Sequence, residues 1–289
     1  MKPILISIII VILSQTELSA KEVLVLGDSN IVPINEIIQK ISETFPDKVT
    51  VYKPSGSTAD IEKLIAKESA KVVVSIGFDY IKSSLSIPQD IPVVYSLSIK
   101  PVVTNRQNIT GVYIETPLGQ YLELIERYFP DISKIAVIDD SGFSLIDVSQ
   151  RNTTQSKKIK AADSAYLIAA LNAEASEIQA IVLTPNSKFM GSATLDEIYL
   201  FSFRNKKPVL GLSEKNVKAG SLLAVVFNLS SVALKTTELV NKVLERGSAQ
   251  GIGQMPPSSY DIYINLITAD KMNVKIPQSL IDVAKKVIK

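Results

Sequence analysis

Seven short polar segments each follow an apolar run. They are Gly27-Asp28-Ser29-Asn30, Gly77-Phe78-Asp79-Tyr80, Tyr95-Ser96-Leu97-Ser98, Asp139-Asp140-Ser141-Gly142-Phe143, Thr184-Pro185-Asn186-Ser187, Gly211-Leu212-Ser213-Glu214 and Phe227-Asn228. Their residue types suit recognition of a small organic solute. No Arg stands in any of these segments, so a guanidinium clamp for a carboxylate is not on offer. Hydroxyls and backbone N–H groups around Ser29, Ser96, Ser141 and Ser187 remain to hold an anionic group. Asp28 or Asp79 can pair with an amino group, and Phe78, Tyr95 or Phe143 can wall an apolar part. Asn186, Ser213 and Asn228 complete the candidate ligand-binding set. The ordinary alternative for each Ser, Asp and Asn is a helix N-cap, and for each aromatic a place in the core.

Composition closes off much other chemistry. The 289 residues include no His and no Cys. That removes the Ser-His-Asp triad, the usual general base near neutral pH, thiol nucleophiles, disulfides, and zinc or iron–sulfur sites built on those residues. No catalytic residue, metal site or cofactor is expected, and the chain reads as a non-enzyme. Gly251-Ile-Gly253 follows a helical stretch instead of a strand, so it is a loop and not a dinucleotide fingerprint. Adjacent Asp139 and Asp140 suit a turn and a cap. No pair of carboxylates is set off as glycosidase chemistry would need. Lys and Arg number 31 against 29 Asp and Glu, a net charge of +2, too even for a nucleic-acid partner.

The first twenty residues read as a secretory signal. Lys2 is followed by an apolar run over 4–13, broken only by Ser7, and then by Leu18-Ser19-Ala20. The run is about half the ~20 residues that a membrane helix needs. Cleavage is expected after Ala20, which places a soluble chain in a periplasm.

The elements that must position the polar segments alternate. Strands are expected at 23–26, 49–52, 72–76, 92–95, 134–138, 180–183, 209–210, 222–227 and 260–264. Helices are expected at 34–44, 58–67, 118–129, 165–173, 195–203, 232–246 and, after Pro277, at 278–288. Continuous apolar strands between amphipathic helices indicate parallel sheets covered on both faces. The fold class is α/β, with two doubly wound halves. Ligands bind beyond the carboxyl ends of strands in such sheets, and the seven segments fall there. The stretch 141–164 is polar and poorly periodic.

Asn108-Ile-Thr-Gly-Val112, then Pro117, a helix ending in Phe129-Pro130-Asp131, and Lys134-Ile-Ala-Val137 resemble a stretch of the ABC transporter substrate-binding proteins of tryptophan and tyrosine type. Ile91-Pro92-Val93-Val94, Lys100-Pro101-Val102, Tyr263-Ile-Asn265, Ala269, Ile276-Pro277, Leu280-Ile281 and Ala284 are similar to further motifs of that family. Lys100 stands where the family usually carries Asp. The resemblance implies a type I periplasmic-binding fold, two parallel-sheet lobes joined by a three-crossover hinge. An N-terminal lobe would hold 21–111 plus 231–258, and a C-terminal lobe 112–230 plus 259–289. Hinge positions would lie near Gly111-Val112, Leu229-Ser230 and Pro257-Ser258. A small-molecule ligand, amino-acid-like, would sit between the lobes and close them. The partner would be the membrane permease of an ABC importer. The alternative is a periplasmic sensing module that signals to a membrane kinase or cyclase.

Overall fold

The computed structural model describes residues 22–54, 58–138, 154–185 and 189–289. The signal-like segment 1–20 and the candidates Ser141, Phe143, Asn186 and Ser187 lie outside the described residues.

The first half builds a parallel sheet from β1 (Val23–Leu26), β2 (Val49–Tyr52), β3 (Val72–Ile76), β4 (Val93–Ser98) and β5 (Ile109–Tyr113), in the order β2-β1-β3-β4-β5. β1 and β3 are buried at every residue, as continuous Val, Leu and Ile runs require when both faces are covered. α1 (Val32–Thr44), α2 (Thr58–Glu68) and α3 (Phe78–Ser84) connect these strands. α1 buries Ile34, Ile37, Ile38 and Ile41, one helical face. It can come this close to β1 because residue 27 is Gly, where a β-carbon would lie 2.9 Å from Ile34 Cγ2.

The second half runs α4 (Leu118–Tyr128), β6 (Lys134–Ile138), β7 (Gln155–Ile159), α5 (Ser164–Ala173), β8 (Ala180–Leu183), α6 (Ser192–Asn205), β9 (Val209–Gly211), α7 (Glu214–Ala219) and β10 (Leu223–Phe227). Then come α8 (Leu229–Arg246), β11 (Tyr260–Asn265), α9 (Leu266–Met272), α10 (Gln278–Val283) and β12 (Lys286–Ile288). The second sheet has the order β12-β11-β10-β9-β8-β6-β7 and is parallel except for the antiparallel pair β10–β11. α8 follows a strand of the second sheet but packs on the first. Its Val232, Ala233, Leu239, Val240 and Val243 share one core with the isoleucines of α1.

The chain therefore passes between the sheets three times. It leaves β5 at Tyr113 for α4, leaves β10 at Phe227 for α8, and returns after Met255 to β11. These crossings are tied together. Met255 pairs with β5, donating its N–H to Gly111 O at 3.0 Å and accepting from Tyr113 N at 3.1 Å. The Thr116 hydroxyl donates to Val225 O at 3.0 Å. Ser231 Oγ accepts the N–H groups of Ser258 and Ser259 at 2.9 and 3.2 Å.

Several elements differ from the sequence reading. The expected helix over 278–288 stops at Val283, Ala284 turns extended, and the chain ends as β12 beside β11. Val287 and Ile288 complete a sheet edge there, a tertiary gain that helical spacing does not show. The break expected at Gly111-Val112 falls within β5, so the first sheet continues through Tyr113. α8 begins at Leu229, earlier than expected, because the Asn228 side chain caps it by accepting from Ser231 N at 2.9 Å. α3, α7 and α9 are seven residues or shorter, too brief for a periodic signal. β7 lies in the polar stretch and is exposed at four of its five residues, so it carries no apolar run.

Candidate functional site

Two of the crossovers start at strand carboxyl ends and run straight into the other half. The carboxyl edges of both sheets therefore border the junction, where an open α/β sheet binds its ligands. On the first sheet this edge holds Asp28 after β1, Lys53 after β2, Phe78 and Asp79 after β3, and Ser98 at the end of β4. On the second it holds Thr184 after β8, Ser213 after β9 and Asn228 after β10.

Ser29, Phe78 and Asp79 stand exposed on the edge, with Phe78 75% exposed. Ile31, Val32 and Ile99, on the same edge, are also exposed. Large apolar side chains left in water on one rim are unusual enough to mark a contact surface. Asp28 is already engaged. Its Oδ1 accepts the Asn30 N–H at 3.0 Å, and its Oδ2 pairs with Lys53 Nζ at 2.7 Å. The Lys53 hydrogen bond, followed by that of the Asn30 backbone, holds the Asp28 carboxyl below its ordinary range, and Asp28 raises the Lys53 ammonium in return.

Two candidates lie in the interior instead. Tyr95 is fully buried in β4, packed against Gly111. Its hydroxyl donates to Gln254 Oε1 and accepts the Val102 N–H at 3.3 Å. Ser96 is also fully buried and shares a 2.8 Å hydrogen bond with the Thr236 hydroxyl of α8. β4 is central enough that both alternating faces are covered, so its carboxyl end is core up to Ser96. Ser213 and Asn228 are N-caps. Ser213 accepts from Asn216 N at 3.2 Å, and the Asn228 amide also donates to Asp261 Oδ1 of β11 at 3.0 Å. The structure thus brings Asp28, Ser29, Phe78 and Asp79 to one rim and turns Tyr95 and Ser96 inward.

Sequence reasoning passes over three features here. Lys53 is one, although the strand 49–52 ends directly before it. Leu97 is another: its φ of 60° lies in the left-handed region, and the pairing of β4 with β5 shifts register between Ser96 and Ser98. A bulky residue held there marks a strained bulge at the edge, and no local residue signals it. The third is Tyr260, opposite Phe227 at the start of β11. Among the described residues its buried hydroxyl has no hydrogen-bond partner, and burial, then the nearby Tyr113, raise its pKa. No group of three or more acidic side chains that could hold a metal occurs among the described residues.

Solved structures share this architecture. A ligand-free, open substrate binding protein with adhesive properties from Clostridium difficile, CD0873, aligns over 93% of this chain and 99% of its own, at 14% identity and TM-score 0.68. The ABC domain from Streptococcus pneumonia in complex with L-Trp aligns over 92% and 100%, at 18% identity and TM-score 0.58. A conserved domain protein from Vibrio cholerae aligns over 93% and 99%, at 19% identity and TM-score 0.57. At these identities the likeness is one of fold, the type I periplasmic-binding fold. No curated protein matches the chain. The sequence model for ABC transporter substrate binding proteins matches residues 47–288, and with the two crossed-over sheets above, this chain belongs to that family.

Proposed function

We propose that the chain is the periplasmic solute receptor of an ABC importer, binding a small, amino-acid-like solute between its two halves. One observation carries the reading: the three crossovers set the carboxyl edges of both sheets beside one junction, with polar groups and exposed Phe78, Ile31 and Val32 on the rim. Apolar rim residues suit a side chain, and the charged groups at Asp28, Lys53 and Asp79 suit a zwitterion. The halves act as lobes, closing on the solute by hinge motion, and the permease reads the closed form. The protein works by binding and release, without catalysis. Among the described residues no helix is long and apolar enough to cross a membrane. Export through the segment 1–20 gives a mature chain that starts at Lys21.

A thermal-shift screen against the amino acids tests this. A solute at 100 times its Kd adds about 2.7 kcal/mol of stability, a readily measured rise in Tm. A screen in which only compounds without an amino or carboxyl group shift Tm would remove the amino-acid-like assignment.

A further inference from the structure

We propose that Lys53 is the anion-recognising group of the first sheet's edge, held by Asp28, and that it takes the carboxylate of the solute. The proposal rests on the solute-binding reading above.

Position comes first. Tyr52 pairs with Leu26, and Gly27 N donates to Tyr52 O at 3.0 Å, so Lys53 emerges beside Asp28 at the carboxyl edge. Occupancy comes second. Both Asp28 oxygens are used, one by the Asn30 N–H at 3.0 Å and one by Lys53 at 2.7 Å. A solute ammonium approaching this carboxylate would meet Lys53 already seated on it. The Lys53 ammonium has three N–H donors, of which Asp28 takes one.

Exposure points the same way. The Lys53 side chain is 56% exposed and that of Asp28 13%. The pair thus turns its cationic member outward and keeps the anionic member beneath. A carboxylate docked on Lys53 continues an alternation of charge from Asp28, and nothing has to be broken to admit it. Exposed Ser29, Ile31 and Val32 after β1 stand between Lys53 and the exposed Phe78 after β3. Cation, anion and apolar wall follow along one edge, after β2, β1 and β3, with the anion seated beneath, an arrangement that fits an acid with an apolar body. Asp28 is a positioning residue in this scheme, and the solute ammonium is left to other groups, Asp79 among them.

Calorimetric titration of L-tryptophan, L-leucine and phenylacetate, each against its carboxamide, tests the assignment on the wild type, Lys53→Met and Asp28→Asn. The wild type should prefer at least one acid over its amide. Lys53→Met should weaken that acid by roughly 10- to 100-fold, the size of a lost charged hydrogen bond, and leave the amide unchanged. Asp28→Asn should lower the acid-over-amide ratio in the same direction by less, an effect that a merely structural role would not produce. Equal acid-over-amide ratios in the wild type and Lys53→Met would overturn the proposal. So would a wild type that binds none of the acids. Should an amide bind in that case, the solute-binding reading stands and the Lys53 assignment alone falls.

Discussion

At Gly111 a β-carbon would lie 2.4 Å from both Tyr95 Cγ and Tyr95 O. The backbone of β4 cannot retreat there, since it is paired on both sides. Gly111→Ala should therefore cost about 1–3 kcal/mol or more, read from denaturant unfolding. Tyr95→Phe should not rescue it, because the ring and the backbone oxygen make the clash. Tyr260 poses the opposite case. Its buried hydroxyl has no partner among the described residues, so Tyr260→Phe gives up no hydrogen bond. That variant should unfold within ~0.5 kcal/mol of the wild type or be more stable. A clear loss of stability would mean the hydroxyl is satisfied in solution. The candidate residues divide by exposure: Ser29, Phe78 and Asp79 stand exposed in the loops after the strands, Asp28 lies buried beneath them against Lys53, and Tyr95 and Ser96 face inward. Alternation along a strand gives two faces, but only the neighbouring helices decide whether both are covered.

Among the elements, α7 and β12 show how a short piece is fixed. Glu214 opens α7 and pairs with Lys218 one turn on, at 2.8 Å, and with Lys286 of β12 at 2.7 Å. These two partners, Lys218 first, lower the Glu214 carboxyl to about 2. A carboxyl lowered on folding stabilises the fold above its unfolded pKa, and that contribution fades as the pH falls through the folded value. The Tm of Glu214→Gln should lie slightly below the wild type at pH 7, as expected for exposed pairs. The gap should close between about pH 4.5 and 2 in a series of thermal melts. A gap that persists at low pH would show that charge is not its source. β12 itself escaped the sequence reading because a three-residue edge strand has no period of its own.

For the molecule as a whole, the decisive feature is that α8 leaves the second sheet and packs on the first. Among the described residues four apolar clusters form, two against each sheet, and the buried members of none are drawn from strands of both sheets. Separate cores joined by short connections favour relative motion. Small-angle scattering of the protein with a solute identified by thermal shift should show a smaller radius of gyration than without it. An unchanged radius would argue for a rigid pair of lobes.

The sequence by itself determined the material of the fold. Apolar runs of four to six residues specified most of the strands, and spacings such as Ile34, Ile37, Ile38 and Ile41 specified helical faces. The absence of His and Cys excluded imidazole, thiol and disulfide chemistry before any contact was known. These properties depend on residue type and on neighbours within one or two turns. The tertiary structure alone decided which strands pair, where the chain changes sheets, and that β12 replaces the end of a helix. It alone joined Asp28 to Lys53 and turned the cation outward. The physical reason is one of range. Periodicity is written in local spacing, whereas pairing, burial and charge partnership arise between segments that become neighbours only when both sheets have formed.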